Sequence, residues 1–182
     1  GVFDFSELTE EDVVILPAFG VTLHDLNTLR AIGCILVDTT CGSVLLVWKR
    51  VESYARDGFT ALIHGKHYHE ESRATASQVG KHADGRYIIV RDMQETELVC
   101  DYIAKKPGAM SKAEFAQHFA NKATEGFDPE EDLKKIGVAN QTTMLASDSL
   151  AIGSQVEKAM AEGFGKAYAN ENFRSFGTIC SA

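Results

Sequence analysis

The sequence predicts an α/β protein built mainly on parallel sheets flanked by helices. Three observations carry this. Short β-branched runs alternate with stretches whose apolar residues recur at helical spacing. Each apolar run leads directly into a polar, turn-forming cluster. No low-complexity tract, short-period repeat or obvious linker interrupts the alternation.

Taken in order, residues 13–19 read as a strand, and so do residues 34–37, which lead into Asp38-Thr39-Thr40-Cys41. Val44, Val47, Trp48, Val51 and Ala55 form a helical stripe that Arg56-Asp57-Gly58 ends. Residues 59–63 read as a strand running into His64-Gly65-Lys66-His67-Tyr68-His69-Glu70-Glu71. A strand at 87–90 precedes a helix carrying Leu98, Val99, Tyr102 and Ile103, which stops near Pro107-Gly108. Ser111 and Glu114 suit a capping box ahead of Phe115 and Phe119. Asp128-Pro129-Glu130-Glu131 is a helix start, with a cap residue, Pro in the first turn and acids at the positive helix end. Residues 136–139 read as a strand ending at Asn140-Gln141-Thr142-Thr143. A helix over 148–161 with Val156 and Met160 on one side follows, closed by Gly163 and Gly165. Residues 175–179 begin a last strand that ends at Cys180. The polar stretch 105–129 is expected to be a peripheral insertion.

The net charge of −8 argues against a large nucleic-acid surface, which needs clustered Lys and Arg. An anionic ligand would have to be held by local donors. No apolar run reaches the ~18 residues that span a bilayer, and no signal peptide opens the chain. The four cysteines are widely and irregularly spaced, with no CxxC, which suits a reducing compartment. The chain begins at Gly1 and stops just after an apolar stretch, so a piece of a longer protein is expected.

The polar clusters share one placement. Thr39-Thr40-Cys41, His67 to Glu71, Gln141-Thr142-Thr143 and Cys180 each follow an expected strand. In open parallel sheets, ligands gather at the carboxyl ends of strands. Cys41 falls between a strand end and a helix start, a setting that suits a metal-binding or nucleophilic sulfur. The competing reading is a small buried residue. Cys34 and Cys100 are expected in the core. His64, His67 and His69 lie close together, but without HExxH or a full ligand set they do not specify zinc. His64 and His67 are expected to be exposed loop residues. His69 with Glu71 offers an anion-binding donor and a proton carrier. Thr142 and Thr143 are either ligand donors or ordinary strand-end residues.

Four of these clusters together resemble one family. Val37-Asp38-Thr39-Thr40-Cys41 with Val47-Trp48 resembles the segment of the second cluster cysteine in the LytB/IspH family of iron–sulphur diphosphate reductases. Ile63-His64-Gly65-Lys66, His69-Glu70-Glu71 and Ala74-Thr75-Ala76-Ser77 resemble its substrate-binding and proton-delivery segment. Val138 to Leu145 is similar to its threonine motif, and Phe176-Gly177-Thr178-Ile179-Cys180 to its third cysteine segment. The likeness is to the plant and cyanobacterial branch and runs along nearly the whole chain.

The resemblance implies three α/β lobes around a cavity. Residues 1–41 would be the end of the first lobe, 42–174 the second and 175–182 the start of the third. It implies a 4Fe–4S cluster held by Cys41, Cys180 and a third cysteine expected upstream of Gly1. It implies reductive removal of the hydroxyl of 4-hydroxy-3-methylbut-2-enyl diphosphate, giving isopentenyl and dimethylallyl diphosphate, the terminal step of the non-mevalonate isoprenoid pathway. His69 would contact the diphosphate, Glu71 would feed protons to the leaving oxygen, and Thr142 would stand near the substrate alcohol. Ferredoxin or flavodoxin would supply electrons, in a bacterial cytoplasm or a plastid stroma. No nucleic-acid or membrane partner is expected, and a piece lacking one cluster cysteine is expected to be inactive alone. Two departures stand out: Phe19 lies where many bacterial members have a substrate-contacting histidine, and Gly42 replaces a proline common after the second cysteine. The alternatives are a thiol-dependent hydrolase or amidotransferase using Cys41, with His69 and Glu71 as base and orienter, and a non-catalytic anion-binding α/β module.

Overall fold

Every pairing between strands is parallel among the residues described, 3–175, in this computed structural model, and one isolated antiparallel bridge joins Ile88 to Ala123. β1 (Val13–Leu16) and β2 (Ile35–Asp38) form a two-stranded sheet of their own, with Val13 opposite Ile35 and Ile15 opposite Val37. The expected strand 13–19 stops at Leu16. Pro17 has no N–H to donate, and its carbonyl accepts the N–H of Gly20, which turns the chain at φ 77°. Between the two strands runs α1 (Leu23–Ile32), a helix absent from the sequence expectation. Thr22 caps it by accepting the Asp25 N–H, and Gly33 closes it in the left-handed region.

α1 covers one face of this small sheet, where Leu16, Leu29 and Cys34 are buried together. The opposite face is bare: Val13 is 60% exposed, Ile15 68%, Ile35 58% and Val37 43%. Parallel sheets are ordinarily covered on both faces.

α2 (Gly42–Arg56) carries the chain to the main sheet, burying Val44, Val47, Val51, Tyr54 and Ala55 along the expected stripe. There follow β3 (Thr60–His64), α3 (Glu70–Ser77), a 3-10 turn at Gln78–Lys81, β4 (Arg86–Val90) and α4 (Met93–Ile103). α5 (Lys112–His118) has the expected Ser111–Glu114 capping box, and α6 (Pro129–Asp132) starts as expected but makes only one turn. β5 (Ile136–Asn140), α7 (Ala146–Phe164), α8 (Lys166–Asn172) and β6 (Phe173–Ser175) complete the described chain. α7 runs past Gly163 to the cap at Gly165. The expected last strand begins two residues early, and its remainder, with Cys180, lies outside the described residues.

The main sheet has the order β4-β3-β5-β6. Every residue of β3 and β5 is buried, as central strands of a doubly covered sheet require. Leu62, Ile88, Ile136 and Val138 pack with Val99 and Ile103 of α4 and Ile152, Val156 and Met160 of α7. Phe115 and Phe119, from the polar stretch 105–129, are buried in the same core. On the other face Ala61, Ile63, Ile89 and Ala139 meet Val47, Val51 and Tyr54 of α2. Each fully buried large side chain contributes about 1.5–3 kcal/mol. α2 lies close to β5: a Cβ on Gly137 would sit 2.5 Å from the Tyr54 ring, whose hydroxyl donates to the Val138 carbonyl at 3.1 Å.

The strand order positions a site. From β3 the chain moves to β4 on one side, and from β5 to β6 on the other. The direction of winding therefore reverses between β3 and β5. In open parallel sheets the crevice at the carboxyl ends of such a strand pair is where ligands bind. Here those ends are His64 and Asn140.

Candidate functional site

Residues that leave strand ends converge on one cavity of about 280 Å³, lined by Ala18, Phe19, Cys41, Val44, His69, Glu71, Thr142 and Thr143. The cavity joins the carboxyl edge of the small sheet to that of the main one. Of the five site residues expected from sequence, Cys41, His69, Glu71 and Thr142 meet here. Cys180 lies outside the described residues.

Cys41 is the N-cap residue of α2, exposed, with a free thiol that makes no capping bond. Its loop is tied down without the sulfur. The Cys41 N–H donates to the Ala18 carbonyl at 2.8 Å, and the Thr39 hydroxyl to the Leu16 carbonyl at 2.5 Å. Asp38 Oδ1 accepts both the hydroxyl and the N–H of Thr40, which holds its carboxyl below the usual range. The sulfur is thus presented by a braced turn and left free to bind. A soft sulfur presented in this way suits an iron–sulphur corner. Among the described residues no group of three or more His, Cys, Asp or Glu is gathered to hold a metal ion.

His69 caps α3. Its Nδ1 accepts the Glu71 backbone N–H at 3.1 Å. A ring nitrogen that accepts carries no proton, so the neutral imidazole bears its hydrogen on Nε2 and can donate it. The ring of Phe19 stands edge-on to that of His69, with centroids 6.3 Å apart. Glu71 is buried in the first turn of α3. Its Oε1 accepts the Thr142 N–H at 2.5 Å, bridging the loops after β3 and β5.

His64 corrects the sequence expectation of an exposed loop residue. As the last residue of β3 it is 1% exposed, and its Nδ1 bonds the Ser149 hydroxyl at 2.8 Å. Burial pushes its imidazole below the usual value, against the opposing influence of Asp148, the Arg91 backbone and Asp92. It therefore sits in the fold as a neutral strut. His67 is half-buried, its ring edge-on to Tyr68. Cys34 and Cys100 are buried as expected, and burial pushes the Cys100 thiol up to about 12, which leaves it inert at neutral pH.

The sequence reading missed the side-chain connections of Gln141. Its polar neighbours at a strand end were the available signal.

Comparison with known proteins bears on the whole chain. The family model described as LytB protein matches residues 2–182. A Synechococcus sp. (strain CC9902) protein named 4-hydroxy-3-methylbut-2-enyl diphosphate reductase is 47% identical over 182 residues, 100% of this chain and 44% of its own length. A protein of the same name from Prochlorococcus marinus (strain NATL1A) is 46% identical, covering 100% of this chain and 43% of its own. The chain thus spans less than half the length of these relatives. Among solved structures, the E-1-hydroxy-2-methyl-but-2-enyl-4-diphosphate reductase from Plasmodium falciparum superposes with a TM-score of 0.64 at 18% identity, over 98% of this chain and 43% of that one. This likeness bears on the fold.

Proposed function

The chain belongs to the LytB protein family, and from that membership we propose that it is part of a 4-hydroxy-3-methylbut-2-enyl diphosphate reductase. In this reading residues 42–174 form the second of three lobes. A 4Fe–4S cluster is held by Cys41, by Cys180 and by a cysteine from outside these residues. The observation that carries the proposal is the meeting of Cys41, His69, Glu71 and Thr142 around one cavity.

When bound, the cluster supplies the electrons and a Lewis-acidic iron for loss of the substrate hydroxyl as water, giving isopentenyl and dimethylallyl diphosphate. The chain's own residues do the rest. His69, its Nδ1 committed to the Glu71 N–H, donates from Nε2 to a diphosphate oxygen. Glu71, fixed by the Thr142 amide, carries a proton toward the leaving hydroxyl. The Thr142 side chain links that proton path to the substrate alcohol. Phe19 and Val44 give the cavity an apolar wall that excludes water. A ferredoxin or flavodoxin delivers electrons, in a bacterial cytoplasm or a plastid stroma. No helix among the described residues is long and apolar enough to cross a membrane.

The thiol-hydrolase alternative needs a base on Cys41. The His69 Nδ1 is engaged by Glu71 instead, and no Cys41–His69 hydrogen bond is present among the described residues. Anaerobic reconstitution of the full-length protein tests the reading. Uptake of iron and sulphide together with reduction of the allylic diphosphate is expected, and a colourless protein that takes up neither overturns it.

A further inference from the structure

We propose that Gln141 is a positioning residue whose carboxamide holds the Thr142 amide on Glu71. This rests on reading the cavity as a reductase proton-delivery site. Gln141 is 3% exposed and is not among the residues lining the cavity, so it acts through others. Its backbone N–H donates to the His64 carbonyl at 2.8 Å, extending the β3–β5 ladder by one residue. Its side chain then reaches the loop after β3. Oε1 accepts the Lys66 N–H at 3.1 Å and the Ser72 hydroxyl at 3.0 Å, while Nε2 donates to the Thr143 hydroxyl at 2.7 Å.

Two of these bonds flank the Glu71–Thr142 bond. Ser72 follows Glu71 in α3, and Thr143 follows Thr142 in the loop after β5. One buried amide therefore fixes the spacing of the two segments whose contact places the carboxylate. The fit is close: a Cβ on Gly65 would come 2.6 Å from Ser72 Oγ and 3.0 Å from the Gln141 Cβ. Glutamine suits the place because one end accepts from Lys66 and Ser72 while the other donates to Thr143. A carboxylate would face Thr143 with an acceptor and reverse that hydrogen bond.

The test uses the full-length protein with Gln141→Glu, Gln141→Leu and the milder Ser72→Ala. Hydrogen exchange at the Thr142 amide is expected to quicken about tenfold in Gln141→Leu, which loses all three side-chain bonds, and less in Gln141→Glu, which can keep them with one reversed, while the Ile63 and Val138 amides hold their protection. kcat is expected to fall about 10–100-fold with KM changed by less than about threefold. Ser72→Ala should show the same pattern at smaller size if Gln141→Leu does not fold. Thr142 exchange unchanged in a folded variant overturns the proposal. So does a lowered melting temperature with kcat per folded enzyme intact, which is a merely structural role. Should the wild type turn over no allylic diphosphate, the reductase reading fails, and the exchange measurement still decides the role of Gln141.

Discussion

Glu71 Oε1 accepts the backbone N–H of Thr142 at 2.5 Å, joining residues 71 positions apart. The bond places a buried carboxylate at the seam between the ends of β3 and β5. Glu71→Gln keeps an oxygen for the Thr142 amide, so the fold should hold with its melting temperature little changed. The group can no longer carry a proton as an acid. In the full-length protein, turnover of the proposed allylic diphosphate substrate should fall about 10²–10⁴-fold. Steady-state kinetics with a reduced electron donor measure this, and near-normal turnover would remove Glu71 from the proton path.

Cys41 separates cluster binding from folding. Its thiol is exposed and makes no capping bond, while a serine hydroxyl is a good N-cap, so Cys41→Ser without cluster should unfold at a denaturant concentration no lower than that of the cluster-free wild type. The reconstituted full-length variant should nevertheless lose its brown visible absorbance and most of its bound iron. Full iron content in the variant would sink the assignment of Cys41 as a ligand.

His64 predicts acid sensitivity of a definite sign. Burial lowers its folded value below the ordinary 6.5, so the unfolded chain takes up the proton more readily. The stability contributed by the neutral imidazole is complete above that ordinary value and is lost as the solution is acidified through it. The loss approaches about 1.4 kcal/mol per pH unit for one proton. Urea unfolding at about pH 7.5 and about pH 5.5 should show a shallower acid loss for His64→Asn than for the wild type. Equal slopes would refute the strut.

Gly137 tests the packing of α2 on β5. A methyl group there meets the Tyr54 ring at 2.5 Å. Gly137→Ala should cost about 1–3 kcal/mol by overpacking, and Tyr54→Phe should not relieve it, because the collision is with the ring rather than the hydroxyl. Chemical denaturation of the single and double variants checks both statements.

That Cys41, His69, Glu71 and Thr142 come near one another was legible in the sequence because a parallel sheet sends every strand's carboxyl end to one edge, and each follows a β-rich run. Cys180 follows such a run too, beyond the described residues. The long strands and the α2 stripe were legible from apolar period alone. α3 was not: Glu70 to Ser77 has only Ala74 and Ala76 as apolar residues, and it buries Glu71, Ser72 and Thr75 instead. A helix whose inner face is polar carries no hydrophobic stripe. α1 was not expected either: its only local signals are the caps Thr22 and Gly33, which the apolar period does not register. His64 was misread because its partner Ser149 lies 85 residues away, a distance that local pattern does not cross.

Away from the β3–β5 seam, Val13, Ile15, Ile35 and Val37 make an oily stripe on a sheet whose two strands, among the described residues, are both edges. Handled by themselves, residues 1–182 would be sticky: molecules would meet stripe to stripe, scatter light as they are concentrated, and collect in inclusion bodies on overexpression. Lysine at positions 15 and 35 would cure this without touching the inward-facing Val14, Leu16 and Leu36.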